Sequence, residues 1–190
     1  MKNALLVSNS EQSAQALSQL LTEEGWDSIT AEYSAYGARQ AVEEQGEFDL
    51  ICINAPLPDE NGIELSRCFA ASTRSSVVII IPKKNADDVN DLLNPDGVLV
   101  IARPINRHLF HHYLQFTDCF RQRLLRIERE NRKLKGMVED IRLIDRAKLL
   151  LVTCLGMSEE GAHRYLEKQA MDLRLSKIEI AKQVIRTYEN

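Results

Sequence analysis

Strand-length apolar runs alternate with helix-length segments through the first 115 residues of the chain. The predicted strands cover residues 4–7, 27–30, 48–53, 77–81 and 98–101. The predicted helices cover residues 11–24, 35–44, 63–71, 86–93 and a segment that begins at Asn106. Helical crossovers connect parallel strands and cover both faces of the sheet that those strands form. The alternation therefore predicts an α/β domain with a doubly wound, five-stranded parallel sheet.

Ligand sites in such sheets form beyond the carboxyl ends of the strands. The residues at these ends are Ser8 and Asn9 after the first strand, Asn54 after the third, Pro82 after the fourth, and Arg103 with Pro104 after the fifth. We expect them to surround one site. Pro104 is a candidate for a cis peptide bond, because the bond before a proline has only a small trans preference.

Hydropathy, cysteine usage and histidine usage exclude several classes of protein. No apolar stretch approaches the roughly 20 residues that a spanning helix needs, and the first residues read as a strand rather than a signal peptide. We therefore expect a cytoplasmic protein without membrane contact. The four cysteines fit neither a metal site nor a disulfide framework and are interpreted as buried thiols. His108, His111 and His112 have no acid nearby in the sequence, so neither a metal nor a cofactor is expected.

The two parts of the chain carry opposite charge. Residues 1–120 contain 8 basic and 17 acidic side chains, whereas residues 121–190 contain 16 basic and 11 acidic ones. A polyanion would therefore meet the second part. A solvated, charged helix surface is the alternative that charge counting leaves open.

Residues 54–62, which read Asn-Ala-Pro-Leu-Pro-Asp-Glu-Asn-Gly, resemble the loop after the third strand of response-regulator receiver domains. Arg103 and Pro104 resemble the Lys-Pro pair after the fifth strand of that family. The resemblance covers about residues 1–115 and implies a flavodoxin-like, CheY-like fold. It also implies a phosphoryl acceptor at position 54, magnesium-binding acids at positions 8 and 9, a hydroxyl residue after strand four and a lysine after strand five. Gly62 is expected where the backbone turns into the next helix.

This chain departs from the family at each chemical position, namely Ser8, Asn9, Asn54, Pro82 and Arg103. The amide of Asn54 lacks a carboxylate oxygen that could attack phosphorus. Ser8 and Asn9 supply no negative charge to a magnesium ion. Arg103 is predicted to pair with nearby carbonyls or acids. We interpret residues 1–115 as a pseudo-receiver that is not an enzyme, regulated by a partner protein, a small ligand or concentration-dependent dimerisation.

A seven-residue apolar repeat follows and predicts a coiled-coil helix over residues 110–141. The predicted dimerisation residues are Phe110, Tyr113, Phe120, Leu124, Ile127, Asn131, Leu134, Val138 and Ile141. A polar Asn131 in the seam favours a two-stranded parallel coil. In that alignment Arg123 faces the partner's Glu128 and Glu130 faces the partner's Lys135, so both pairs attract. The alternative is a long amphipathic helix that packs on its own domain.

Residues 142–190 are predicted to form three short helices with a shared apolar core. The apolar stripes include Leu155 on the first helix, Leu173 on the second, and Ile178, Ala181, Val184 and Ile185 on the third. The run from Ile144 to Ile185 resembles the ANTAR domain of antitermination regulators. The matching features are Ala147 with Lys148, the Gly156-Met157-Ser158 turn, Ala162, Tyr165, Leu166, Ala170, and Ile180 with Ala181. One departure is Leu149, where the family commonly has glycine.

The ANTAR resemblance implies that a dimer binds paired stem-loops in nascent leader RNA and prevents an overlapping terminator hairpin. The candidate RNA-binding residues are Arg142, Arg146, Lys148, Arg164, Lys168, Gln169 and Lys177. Arg142 and Arg146 lie 120° or more around the helix from Lys148, so these three cannot face one groove. A phosphorylation-independent dimeric adaptor and a DNA-binding response regulator stay open. The third helix exposes Lys177, Glu179, Lys182 and Gln183, a poor set for reading a major groove.

Overall fold

The structure is a computed structural model that describes residues 2–189. The chain divides into two compact units, residues 1–124 and residues 125–190. Each unit is described by itself below.

The first unit contains a five-stranded parallel sheet in the order β2-β1-β3-β4-β5. Its elements are β1 (Asn3–Ser8), α1 (Glu11–Glu23), β2 (Ser28–Glu32), α2 (Ala35–Gln45), β3 (Leu50–Asn54), α3 (Ile63–Ser72), β4 (Ser76–Pro82), α4 (Ala86–Leu93), β5 (Leu99–Arg103) and the first part of α5 (Arg107–Leu155). This architecture confirms the predicted doubly wound, CheY-like fold.

The sheet is buried on both faces because successive strand side chains point to opposite sides. Leu5 and Ile53 belong to the core under α2, α3 and α4, whereas Leu6 and Leu50 belong to the core under α1 and α5. A buried parallel sheet of this kind needs helices on each face, and the chain supplies them in alternation.

The first turns of α5 pack against this sheet. Phe110 is only 1% exposed and lies in the core beneath α1, and Tyr113 is partly buried against the same core. The prediction that Phe110 belongs to a dimer seam is therefore wrong, because its ring is enclosed by its own domain. The seven-residue apolar repeat runs without a break from the part of α5 that faces the sheet into the part that is exposed, so the repeat alone did not distinguish the two.

Ion pairs hold the start of α5 to the rest of the first unit. Lys2 Nζ lies 2.9 Å from Asp118 Oδ2, and Arg121 pairs with Asp49. His111 contacts Glu24 of α1, so the expectation of no acid near the histidines is wrong. Glu24 is remote in sequence and reaches the ring only through the fold.

The cysteines differ from expectation as well. Cys52 is buried in β3, where desolvation raises the pKa of its thiol to about 12. The interpretation as buried thiols is wrong for the other three, since Cys68, Cys119 and Cys154 are exposed. Each of these lies on a helix, and a helix turns some of its side chains toward solvent.

The second unit is a three-helix bundle made of the end of α5, α6 (Glu159–Leu173) and α7 (Lys177–Tyr188). Gly156 ends α5 with a φ of 62°, in the left-handed region that glycine favours. Ser158 caps α6, and Ser176 with Glu179 forms a capping box at the start of α7. The core consists of Ala147, Leu151, Ala162, Leu166, Ile180, Ala181 and Val184.

Two predicted core residues of the bundle are exposed instead. Leu155 is 46% exposed and Leu173 is 54% exposed. Each is the last residue of its helix, beyond the final turn that packs on the neighbouring helices. Ile180 also belongs to the core where the sequence favoured Ile178. Within residues 2–189, no helix combines the length and the apolarity that crossing a bilayer requires.

Candidate functional site

The ends of β1 and β3 meet in a buried polar pair. Ser8 and Asn54 are partners in the strand register, and both side chains are buried. Asn54 Nδ2 donates a hydrogen bond to Ser8 Oγ over 3.1 Å. A buried amide and hydroxyl are tolerated because each satisfies the other.

The loop after β3 is tightly built around this pair. Gly62 has a φ of 81°, and a Cβ added there would lie 3.1 Å from Ala55 Cβ and 3.2 Å from Ile53 Cγ2. The turn into α3 thus lies at Gly62, as predicted, and needs a residue without a side chain. Arg103 Nη2 donates to the carbonyl oxygen of Ala55 over 2.5 Å. This contact is with a carbonyl, one of the two kinds of partner expected for Arg103.

The structure gathers some of the predicted strand-end residues and not others. Ser8, Asn54 and Arg103 converge on the end of β3, the last through Ala55. Pro82 is the register partner of Arg103 on β4, and Asn9 is exposed beyond β1. The peptide bond before Pro104 is cis, as predicted, and so is the bond before Pro56.

Two acids of the same loop are engaged elsewhere. The carboxylate of Asp59 accepts the backbone N–H groups of Ala35 and Tyr36 over 2.9 and 3.0 Å. These hydrogen bonds, the one from Ala35 first, lower the pKa of Asp59, at a helix start that also favours negative charge. Glu60 Oε2 pairs with Arg39 Nη2 over 2.9 Å. Sequence reasoning missed this link between the loop and α2, which only the long-range geometry reveals.

In the second unit, five of the seven predicted RNA-binding residues already have acidic partners. The pairs are Arg142 with Glu139, Arg146 with Glu189, Lys148 with Asp145, Arg164 with Glu160, and Lys177 with Glu167. Exposed pairs of this kind are weak and exchange readily with solvent. They do, however, neutralise the local charge of the bundle.

Lys148 is the most enclosed of these cations, with 18% of its side chain exposed. Its Nζ lies 2.7 Å from Asp145 Oδ1 and 3.9 Å from Glu159 Oε1, at the first residue of α6. The hydrogen bond to Asp145 raises the pKa of Lys148, so the ammonium is charged at neutral pH.

A second cluster joins α6 to α7. Glu167 Oε1 lies 2.5 Å from Lys177 Nζ and 3.2 Å from His163 Nε2. The bond from Lys177 lowers the pKa of Glu167. Sequence reasoning named Lys177 alone and missed the carboxylate that it shares with His163.

The predicted contacts do not form one patch. Arg146 of α5 pairs with Glu189 at the carboxyl end of α7, whereas Lys177 is the first residue of α7. The 12 residues of α7 separate the two ends by about 18 Å. Lys168 is exposed and Gln169 is partly buried on α6.

An apolar stripe on α5, which we call the seam stripe, is exposed along the predicted heptad positions. Its apolar members have between 41% and 59% of their surface exposed. The seam stripe consists of Phe120 and Leu124 in the first unit and Ile127, Asn131, Leu134, Val138 and Ile141 in the second. Six large apolar side chains in heptad spacing are thus exposed to water, a pattern that is typical of coiled-coil helices.

Comparisons with known proteins identify the two parts of the chain. The profile of the response regulator receiver domain matches residues 4–115, more than half of the chain, and that of the ANTAR domain matches residues 132–185. The chain therefore belongs to the response regulator receiver domain family and carries an ANTAR domain behind its receiver domain.

Two relatives share this similarity. The transcriptional regulatory protein PdtaR of Mycobacterium tuberculosis is 24% identical over 173 residues, which cover 90% of this chain and 83% of PdtaR. The aliphatic amidase regulator of Pseudomonas aeruginosa is 23% identical over 123 residues, which cover 64% of this chain and 63% of that protein. The chain is a homologue of the regulator PdtaR.

Solved receiver domains share the fold of the first unit. A receiver domain protein from Clostridium thermocellum matches with a TM-score of 0.57 and 17% identity, covering 66% of this chain and 99% of its own. A CheY-like receiver domain from Methanospirillum hungatei matches with a TM-score of 0.57 and 17% identity, covering 65% of this chain and 98% of its own. At this identity the likeness describes the fold alone.

Proposed function

We propose that the chain is a cytoplasmic, RNA-binding regulator of transcription antitermination. As a parallel homodimer it binds stem-loops in nascent leader transcripts and prevents an overlapping terminator hairpin from forming. The observation that carries this proposal is the ANTAR match over residues 132–185, behind a receiver domain and in a homologue of a transcriptional regulator. We assign residues 1–115 to the receiver domain, 110–141 to the coiled-coil linker and 142–190 to the RNA-binding domain.

The seam stripe supports the dimer. Its apolar side chains follow a 4-3 spacing from Phe120 to Ile141 and are exposed in the single chain. Packing them against a second copy removes this surface from water, which is the main driving force of such association. Asn131 specifies two strands, and the charged flanks favour the parallel arrangement. Two bundles then lie side by side, as recognition of paired hairpins requires.

The strand-end residues support a receiver domain that is not phosphorylated. Asn54 offers an amide that is buried and already bonded to Ser8. Magnesium prefers several hard, charged oxygen ligands, and the donors here are a hydroxyl and an amide oxygen. The residues present do not fit that ion, and Asp59 of the same loop is committed to α2. We infer that the domain has no phosphotransfer activity and that a partner protein or small ligand controls it.

The geometry of α7 argues against reading DNA. Of its predicted outward side chains, Lys177 is paired with Glu167 and Glu179 is part of the capping box. Only Lys182 and Gln183 then remain for base edges, whereas a recognition helix uses three or four side chains.

Selection of RNA from a pool of random hairpins with the purified full-length chain tests this function. We expect enrichment of paired hairpins, dimers in sedimentation at micromolar concentration, and affinity that falls steeply with salt. If the chain retained no hairpin, the hypothesis of a dimeric adaptor would remain. If it retained duplex DNA in preference to RNA, the hypothesis of a DNA-binding response regulator would be favoured. Either outcome would overturn the proposal.

A further inference from the structure

The positive charge of the second part of the chain is densest in the middle of α5, at residues 121–135. Residues 121–135 contain seven basic and two acidic side chains, whereas residues 136–190 contain nine of each. Residues 136–190 are thus formally neutral, and residues 142–190 alone carry a net charge of only +2. The excess that would attract a polyanion lies in the middle of α5.

Four of the linker cations form a continuous ridge in the second unit. The basic ridge consists of Arg126, Arg129, Arg132 and Lys133, which are all exposed. In contrast to the paired cations of the bundle, none of the four has an ion-pair partner within residues 2–189. Their ammonium and guanidinium groups are available to a ligand.

The basic ridge lies opposite the seam stripe. At 100° per residue its members span roughly 120° of the helix surface, centred about 180° from Ile127, Leu134 and their neighbours. The two acids of this segment, Glu128 and Glu130, lie beside the seam rather than on the ridge. Covering the seam stripe with a second copy therefore leaves one basic ridge exposed on each protomer.

The spacing of the ridge favours an anion as its occupant. Like charges three or four residues apart on a helix repel each other, and the ridge contains such neighbours at 126 and 129, 129 and 132, and 129 and 133. A polyanion laid along the helix relieves this repulsion. The exposed large apolar side chains of the same segment lie on the other side, so the ridge offers little to a protein partner or to the interior of a bilayer.

We propose that the basic ridge is a second RNA contact, which binds the phosphodiester backbone of the hairpin stem below the part held by the three-helix bundle. This inference rests on the proposed function. The ridge extends for about 10 Å along α5, from Arg126 to Lys133, and supplies four cations to neighbouring phosphates. It contributes affinity and salt dependence without sequence preference, because phosphates are the same in every hairpin.

The test compares two variants that each remove two positive charges. Arg129→Gln with Arg132→Gln alters the ridge, and Lys83→Gln with Lys84→Gln alters two exposed lysines of the first unit. Glutamine keeps a high helix propensity, so α5 should persist. Hairpin binding by the full chain is measured by fluorescence anisotropy as a function of potassium chloride concentration.

We expect the ridge variant to bind about tenfold or more weakly near 0.1 M salt, with its log–log salt slope reduced by nearly two. The loss should be equal for hairpins with different loops, and the lysine control should match wild type. Arg129→Lys with Arg132→Lys keeps both charges and should retain the slope, which separates charge from any change in helix structure.

Three outcomes would overturn the ridge contact while the proposed function stands. They are an unchanged salt slope in the glutamine variant, a loss confined to one loop sequence, and an equal loss in the charge-preserving lysine variant. Failure of the wild-type chain to bind any hairpin would instead overturn the proposed function. Sedimentation of each variant verifies that the dimer persists.

Discussion

Asn54 Nδ2 donates to Ser8 Oγ over 3.1 Å, and this side-chain bond links the paired ends of β1 and β3 where both side chains are shielded from water. The amide of Asn54 is the donor in this bond, whereas a carboxylate at the same position could only accept a hydrogen bond from Ser8. A hydroxyl can donate one hydrogen bond to a carboxylate, but it carries no positive charge to offset the negative one.

Asn54→Asp should destabilise the first unit. A buried carboxylate with one hydroxyl partner costs about 2 kcal/mol or more at neutral pH. Urea unfolding followed by circular dichroism measures the change. Asn61→Asp is the matched control, because Asn61 is exposed and its Oδ1 already accepts the Ile63 N–H group, which aspartate can also do. We expect the control to stay within about 0.5 kcal/mol of wild type. Equal stability of the two variants would contradict the buried-pair account.

The wild-type chain should remain unmodified by small phosphodonors. Incubation with acetyl phosphate and magnesium, followed by intact-mass measurement, is expected to show no added phosphoryl group, because the amide at position 54 is not a nucleophile toward phosphorus. A hydroxylamine-labile phosphoryl adduct at the carboxyl ends of the strands would refute this.

Asp59 should contribute an acid-sensitive component to stability. Hydrogen bonds from Ala35 and Tyr36 lower the folded-state pKa of Asp59 below the ordinary value of 3.8. A depressed folded pKa stabilises the fold above the unfolded value and loses that contribution as the pH falls through the folded value. Urea unfolding of wild type and of Asp59→Asn between pH 7 and pH 2.5 should therefore show the two converging below about pH 3.8. Asp27→Asn, which removes an exposed acid between α1 and β2, is the matched control for the loss of one acidic side chain.

The fold could be predicted from the sequence because its signals are local. Alternating apolar runs predicted all five strands of the sheet. Once the strand ends were placed, the residues at those ends showed directly where the chain departs from the family motif. The contacts of single side chains could not be predicted in the same way. Glu189 reaches Arg146 over 43 positions in the chain, and His111 meets Glu24 over 87, so no short-range pattern records either contact.

The seven-residue repeat of α5 could not predict what its apolar face packs against. A seven-residue repeat marks which face of a helix is apolar, but Phe110 and Phe120 carry that repeat equally. Phe110 faces the sheet and Phe120 faces solvent. Only the position of the helix relative to the sheet decides this, and the repeat contains no information about it.

Leu134→Asp should dissociate the proposed dimer. Leu134 is exposed in the single chain, so the change should cost the protomer little, but in a coiled coil it buries two charges in the seam. We expect the dimer dissociation constant to rise by roughly a thousandfold or more. Sedimentation velocity measures the result, with Gln122→Asp on the outer face of α5 as the control. A dimer that survives Leu134→Asp would exclude the seam stripe as its interface.

Lys148 is the cation of the ANTAR domain whose proposed role in RNA binding can be separated from a structural one. Lys148→Ala should weaken hairpin binding by about tenfold, since one phosphate contact is lost. Asp145→Asn is the opposing variant, because it removes the nearer acid, whose Oδ1 lies 2.7 Å from the Lys148 ammonium. If Lys148 binds phosphate, freeing it from this competitor should tighten binding, whereas a purely structural ion pair within α5 would leave the affinity unchanged or lower it. Lys84→Ala, which removes an exposed lysine of the first unit, provides the control. Anisotropy titrations of the three variants at one salt concentration therefore decide whether Lys148 contacts the RNA.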